Sequence, residues 1–344
     1  MRVTQLEINR TLLADLEKLN RNFVDINRQL SSGKKLNFLG DSPIGSADLV
    51  DITEQAQRLD AYSFNLISAG YQLKSSESAL NAVYNGFVSI HTLGMNAAND
   101  PTNKYGRQAE LNEILILRDE LVARGNTRVD GISIFSGTAV NEDRPFMIAR
   151  VDVNGNFVAA DGITIIADKD GNLQAGHNVN ELVPPDPNEA GQVNGMGKVF
   201  YKGNDTVNKI PVGDDVEVVA GVSGSQAMGA VFKAIDDLIE QIRNSITVDG
   251  EVEKISTALN SFENALNELN NARGEVGVNL GMVERMAAMI ETRNVVLTEQ
   301  RSKIEDANIL EVALKIGQLQ TAQNAALSAA SAILQQSNLF DTLG

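Results

Sequence analysis

Hydrophobic residues recur at alternating intervals of four and three residues along the C-terminal part of this 344-residue chain. The alternation runs from Ile255 to Ile304 without a slip, and only Arg273, Asn294 and Arg301 are polar among its members. A β-strand repeats every two residues and cannot use such a period, whereas a helix places these positions along one face. The run therefore predicts one long helix that packs against other helices through a heptad seam.

Each end of the chain carries a short apolar run at the terminus and a longer apolar run next to it. A shorter apolar run from Leu12 to Leu30 is followed by a break at residues 31–34 and a longer run at 49–91. At the other end, the phase of the long run slips at 305–308 before a shorter run from Ile309 to Ile333. A phase slip of this kind interrupts a coiled coil locally. The sequence predicts a short helix joined to a long one at each end, with hinges at Gly33, Glu305 and Asp306.

The middle of the chain, residues 138–224, has a different character. It contains five of the seven prolines and several short β-branched runs. Asn154-Gly155 predicts a type I′ hairpin, and Asp168–Asn172 predicts a second tight turn. Calcium binding at Asp168–Asn172 is disfavoured, because an EF-hand loop places glycine at position six and Gly171 is fourth.

Together these patterns predict a mainly α fold: nested N- and C-terminal heptad helices form a coiled-coil bundle, with a β-rich inserted domain. We expect three domains. They are a terminal coiled-coil domain (1–33 plus 305–344), a long-helix bundle (34–137 plus 225–304) and an exposed β-rich insert (138–224).

Composition excludes several functions. The net charge is −16, which repels nucleic acid and anionic membranes. The chain has no cysteine and only His91 and His177, so thiol chemistry is excluded and a multi-histidine metal site is disfavoured. We predict no catalytic residues, no metal and no cofactor. No run approaches the length of a membrane span, and the N-terminal residues lack the apolar core of a signal peptide, so we expect export by another route.

The terminal seams are the predicted functional surface. Burying the six large apolar side chains of the first seam is worth roughly 9–18 kcal/mol. Ordering the backbone of that helix costs on the order of 20–40 kcal/mol, which helix hydrogen bonds offset only in part. We therefore expect the two terminal helices to pair, to gain further burial against other subunits, and to be disordered in the free monomer. The predicted assembly contacts are Leu12, Leu16, Leu19, Phe23, Ile26, Leu30, Ile309, Val312, Ile316, Leu319 and Ile333.

Three segments carry a family resemblance. The sequence QLSSGKKLN at 29–37 resembles a segment shared by flagellins and flagellar hook-associated proteins, and DSPIG at 41–45 resembles the segment that follows it in junction proteins. SKIEDA at 302–307 is similar to the C-terminal region of the same superfamily. The tail at 332–343 looks more like hook-associated proteins of the hook–filament junction than like flagellins. Ser42 and Asn308 stand where the family usually has acidic residues.

The resemblance covers roughly 1–137 and 225–344. It implies a structural subunit of the bacterial flagellum that is exported through the flagellar channel and connects the hook to the filament. The implied partners are further copies of the chain, the first hook-associated protein, flagellin, and an export chaperone with the export apparatus. The implied location is extracellular, without a cleaved signal peptide.

Two alternatives remain open at this point. One is a flagellin, the bulk subunit of the filament. The other is a secreted enzyme whose active site lies in the insert, although the insert offers only scattered acidic residues and one histidine.

Overall fold

A computed structural model gives the fold of the chain. It describes residues 2–38, 40–99, 103–139, 144–152, 154–160, 163–185, 197–247 and 252–342. In the terminal helices it describes the backbone alone at residues 2–6, 8–9 and 333–342.

The predicted mainly α fold is confirmed. The helices are α1 (Arg2–Ser32), α2 (Pro43–Asn99), α3 (Lys104–Gly125), α4 (Gly224–Thr247), α5 (Val252–Glu305) and α6 (Ile309–Thr342). The helix ends follow the sequence signals: α2 begins at the proline of Asp41-Ser42-Pro43, and α5 ends at the phase slip. Three residues of the C-terminal junction, Asp306 to Asn308, thus separate two helices that each carry a heptad run.

The contacts divide the chain into two compact units, residues 1–60 with 290–344 and residues 61–289. We call them the terminal unit and the central unit. The helices α2 and α5 contribute to both. The three-domain division expected from the sequence stays a prediction.

The core of the central unit is a helix bundle. Phe87 on α2 stacks on Phe262 on α5 with ring centroids 4.4 Å apart, and both side chains are fully buried. Close contacts at two α2 glycines extend the bundle to the other helices: a Cβ at Gly86 would lie 2.6 Å from Leu121 of α3, and one at Gly94 would lie 2.8 Å from Leu238 of α4. The small residues on α2 let three helices approach it.

The described strands form four antiparallel pairs. They are β1 (Arg128–Val129), β2 (Ile132–Ser133), β3 (Phe146–Ala149), β4 (Phe157–Val158), β5 (Ile165–Ala167), β6 (Lys198–Tyr201), β7 (Lys209–Pro211) and β8 (Glu217–Val219). The pairs are β1 with β2, β3 with β6, β4 with β5, and β7 with β8.

The insert has its own small apolar core and a buried ionic anchor. Phe157 and Phe200 pack edge to face at the centre of the small core. Asp236 of α4 accepts a 2.8 Å hydrogen bond from the backbone N–H of Val199 on β6, and Arg118 of α3 lies 3.5 Å from the same carboxylate. The anchor fixes β6 against α3 and α4.

One predicted turn type is wrong. The hairpin around Asn154-Gly155 exists, but the N–H of Gly155 donates to the carbonyl of Asp152 and the N–H of Asp152 donates to the carbonyl of Asn156, so the loop is longer than the two residues of a type I′ turn. The carboxylate of Asp152 accepts the N–H groups of Asn154 and Asn156, which holds a longer turn than the type I′ form. Asp168 makes the equivalent bonds to Asp170 and Asn172, so the second predicted turn is confirmed.

Candidate assembly site

The helices α1 and α6 of the terminal unit pack side by side, as the two short seams predicted. Five residues of the first seam lie on the side of α1 that faces α6 and are half-buried: Leu12, Leu16, Leu19, Phe23 and Ile26. Leu30, at the end of α1, is exposed. The pairing of α1 with α6 therefore covers the first seam only in part.

The second seam is covered in the same incomplete way. Val312 is buried, Ile316 and Leu319 are half-buried, and Ile309 is exposed. The side chain of Ile333 lies outside the described residues. Whether these residues contact other subunits stays a prediction.

Sequence reasoning missed a second set of large apolar side chains on the terminal helices. They are more than half exposed: Leu13, Val24, Leu310, Leu314 and Leu327. Leu13 and Val24 are eleven residues apart, a spacing that returns to the same helical face. A search for apolar residues outside the heptad positions could have found them. The terminal pair is thus apolar on its outside as well as inside.

The two predicted breaks lie directly against each other. Lys34 and Asp306 form an isolated antiparallel bridge. The N–H of Lys35 donates to the carbonyl of Glu305 over 2.6 Å, and the N–H of Ala307 donates to the carbonyl of Gly33 over 2.9 Å. Gly33 has a φ of 69°, a left-handed conformation that glycine adopts without a steric penalty. We call residues 33–42 and 305–308 the paired break.

Ionic contacts reinforce the paired break. Glu305 accepts a hydrogen bond from Lys34 and a 2.8 Å bond from Arg301. The Lys34 hydrogen bond, helped by Arg301, holds the pKa of Glu305 below its usual range, although partial burial opposes this. The paired break therefore joins the N-terminal half of the chain to the C-terminal half through a charged contact that is ionised at neutral pH.

The loop between α1 and α2 is also ordered by a carboxylate. Asp41 accepts the backbone N–H groups of Asn37 and Phe38, each over 2.9 Å, and these bonds lower its pKa. The guanidinium of Arg28 lies 4.6 Å from the centre of the Phe38 ring. Phe38 itself is exposed and borders an apolar groove of about 490 Å³ along the start of α2.

Ser42 and Asn308 cap the helices that follow the two breaks. The Ser42 hydroxyl accepts the N–H of Gly45, and the Asn308 amide oxygen accepts those of Leu310 and Glu311. Both residue types are favoured N-caps, so the departures from the family pattern leave helix capping intact.

The contacts described for this site are packing contacts, hydrogen bonds and ion pairs. Among the described residues, no group of three or more His, Asp or Glu could hold a metal ion. His177 contacts Glu181 in the insert, whereas His91 packs near Phe262 in the bundle. None of the helices in the described parts is long and apolar enough to cross a membrane.

The comparison with family models agrees with the geometry. The bacterial flagellin N-terminal helical region matches residues 4–140. No curated protein compared with the sequence matches it.

Solved structures extend the likeness beyond that region. A Vibrio parahaemolyticus protein named as a flagellar hook-associated protein is 16% identical, with a TM-score of 0.56 over 77% of this chain and 100% of its own. The fold is that of flagellar hook-associated proteins. A hook-associated protein-3 from Legionella pneumophila is 11% identical, with a TM-score of 0.55 over 74% of this chain and 98% of its own. The Legionella pneumophila flagellar junction protein FlgL is 12% identical, with a TM-score of 0.51 over 76% of this chain and 100% of its own. The resemblance found in the three sequence segments is confirmed.

Proposed function

We propose that the chain is a structural, non-enzymatic component of the bacterial flagellum: the junction subunit that connects the hook, through the first hook-associated protein, to the flagellin filament. It acts outside the cell and is exported through the flagellar channel.

One observation carries this proposal. The paired terminal helices keep large apolar side chains exposed on their outer surface, with Leu310 72% exposed and Leu314 63% exposed. A solitary soluble protein gains nothing from two adjacent leucines of this kind, whereas a subunit of a tube buries them against its neighbours. The match to a flagellin N-terminal region and the names of the structural neighbours support a flagellar tube.

The mechanism is mechanical. The terminal domain (1–33 plus 305–344) lines the inside of the tube, the long-helix domain (34–137 plus 225–304) forms the surrounding shell, and the insert (138–224) faces outward. The paired break transmits load between the terminal domain and the long-helix domain, because it joins the N-terminal and C-terminal segments of the chain to each other. The partners are further copies of this chain, the first hook-associated protein and flagellin, with an export chaperone that holds the C-terminal segment before export. Neither nucleic acid nor a membrane takes part.

Electron microscopy of a strain that lacks the gene tests the proposal. We expect hooks without filaments and flagellin released into the medium, both reversed when the gene is restored. Filaments of normal length on the deletion strain would contradict the junction role.

One variant and one observation separate the alternatives. A chain that lacks residues 138–224 should still support filament attachment, whereas an enzyme with its active site in the insert would lose its function. A flagellin would form long filaments made of this chain as the bulk subunit, and a junction protein would be a minor component at the filament base.

A further inference from the structure

The helix α5 carries a glycine-lined face that no other helix of the described chain covers. Gly274, Gly277 and Gly281 lie on the side of α5 opposite the buried Val276 and Val283. A Cβ added at Gly274 or Gly277 would meet no atom within 4 Å. Glycine destabilises the interior of a helix. Packing within the chain does not explain why three glycines lie on this face.

The helix α2 carries a complementary feature on its own outer side. Phe64, Ile67 and Tyr71 are 55–73% exposed and follow one another at intervals of three and four. They project from the side of α2 opposite the buried Leu66 and Leu73. We call them the α2 stripe, and Gly274, Gly277 and Gly281 the glycine face.

The α2 stripe and the glycine face match in length and direction. Each spans eight residues, a rise of about 10 Å along the helix. The two helices run antiparallel, because Gly70 lies near Val283 and Phe87 lies on Phe262 further along. The stripe and the glycine face therefore lie on opposite outer sides of one two-helix layer, and two copies that point the same way bring them together.

Charge fixes the register of such a contact. When Phe64 is set opposite Gly281 of a second copy and Tyr71 opposite Gly274, Asp60 falls opposite Arg285. Asp60 is exposed, one turn before Phe64 on the same face of α2. The Arg285 guanidinium lies 3.3 Å from the position of a Cβ on Gly281, so it covers the glycine face in the free chain and can turn towards a carboxylate.

We propose that the α2 stripe of one copy docks on the glycine face of a second copy, with Asp60 paired to Arg285 across the contact. The large side chains fill the space that the glycines leave open, which lets the two helices approach closely. The contact joins two different surfaces and thus repeats from copy to copy into a ring or helix. This docking mode depends on the proposed function, because only an axial assembly aligns the copies in parallel.

Cysteine cross-linking tests the contact without background, since the chain has no cysteine. The double variant Ile67→Cys with Gly277→Cys is produced in place of the natural chain, and isolated flagella are oxidised. The two positions lie on opposite sides of the helix pair, too far apart for a disulfide within one copy. We expect a ladder of dimers, trimers and larger products in the double variant and monomers in each single variant. The matched control, Ile116→Cys with Gly277→Cys, joins another exposed apolar position on α3 to the same glycine and should give no ladder.

Any other result contradicts the proposed contact. Dimers from Ile67→Cys alone would mean that two stripes meet each other. A photoreactive residue at position 67 gives a second test. If it cross-links the α2 stripe to a different protein, another partner occupies the stripe. Flagella that work normally but give no ladder would reject the docking mode and leave the junction function standing, whereas a deletion strain with normal filaments would reject the function itself.

Exchanging the charges of Asp60 and Arg285 tests the contact if the cysteine variants are not incorporated into flagella. Asp60→Arg and Arg285→Asp should each reduce filament attachment several-fold, and the double variant should recover it. Failure of the double variant to recover, when both single variants fold and are exported, would overturn the register.

Discussion

The central bundle and the terminal helix pair use the same heptad spacing but bury it to different extents. In the bundle, Leu73, Leu80, Phe262 and Leu269 are fully buried. In the terminal pair, every seam residue of α1 whose side chain is described is half-buried or exposed. The bundle completes its core within one chain, because three helices pack on α2, whereas two helices alone cannot enclose either of their seams. The comparison indicates that the bundle is a finished domain and that the terminal pair is half of an interface.

The largest expected effect separates the stability of the two regions. Phe262→Ala removes a stacked, fully buried ring and should lower the free energy of unfolding by about 3–5 kcal/mol. Phe23→Ala, at a half-buried seam position of α1, should change the bundle transition by less than about 1 kcal/mol and should instead abolish assembly. Urea unfolding of both variants as monomers measures this. Equal losses would mean that the terminal pair folds as part of the bundle.

The buried anchor of the insert gives the central unit a pH dependence. Burial raises the pKa of Asp236 to about 6, and Arg118 and the Val199 N–H only partly oppose it. Between the ordinary carboxyl value and about pH 6 the folded chain binds more protons than the unfolded chain, so stability falls as the pH rises through that window. The chain should lose on the order of 2–3 kcal/mol from this group between pH 4 and pH 7.

Asp236→Asn should remove that loss, because an amide can still accept the Val199 hydrogen bond but carries no charge. Thermal unfolding of the chain and the variant at pH 4, 5, 6 and 7 tests it. Identical pH profiles would show that the carboxyl group does not titrate in this window.

The paired break should depend on pH in the opposite direction. The lowered pKa of Glu305 means that its contribution is complete above the ordinary carboxyl pKa and is lost as the pH falls through the lowered value. Glu305→Gln should loosen the break by about 1–2 kcal/mol at pH 7, and its effect should disappear as the pH falls through the lowered pKa of Glu305.

Hydrogen exchange at the N–H groups of Lys35 and Ala307 measures the break directly. Glu299→Gln is the matched control, because Glu299 pairs with Lys303 within α5 and its lowered pKa comes from Lys303, not from a residue of the break. A similar loosening in both variants would contradict the role of Glu305.

The smallest expected effect concerns glycines in open space. Gly277→Ala should stabilise the bundle of the free chain by about 1 kcal/mol, because the new methyl group meets nothing. The same change at Gly317 of α6, which is equally open, should leave the bundle transition unchanged if the terminal pair unfolds separately. Thermal unfolding compares the two, and stabilisation by both to the same extent would remove the distinction between the regions.

Much of the helical fold follows from the sequence. The heptad period predicted helices over residues 12–30, 49–91, 255–304 and 309–333, and a helix runs through each of these segments, since local spacing decides the period. The sequence also predicted the breaks at Gly33 and Glu305. It did not reveal that they hydrogen-bond to each other, because a contact between residues 271 positions apart leaves no local signal.

Turn type and outward faces were harder to predict. The two-residue turn with positive φ at both positions occurs at Asp130-Gly131, not at Asn154-Gly155. Both dipeptides favour that turn, but the hydrogen bonds of Asp152 hold the second one in a different form. The exposure of Gly274, Gly277 and Gly281 to solvent could be assigned only once the positions of the neighbouring helices were known.

Hydrogen exchange of the full chain at micromolar concentration tests the difference between bundle and terminal pair most directly. We expect the amides of α1 and α6 to exchange within seconds while those of α2 and α5 in the bundle stay protected for hours, with protection of α1 and α6 gained in assembled flagella. Terminal helices in the dilute monomer that are protected as strongly as the bundle would contradict this account.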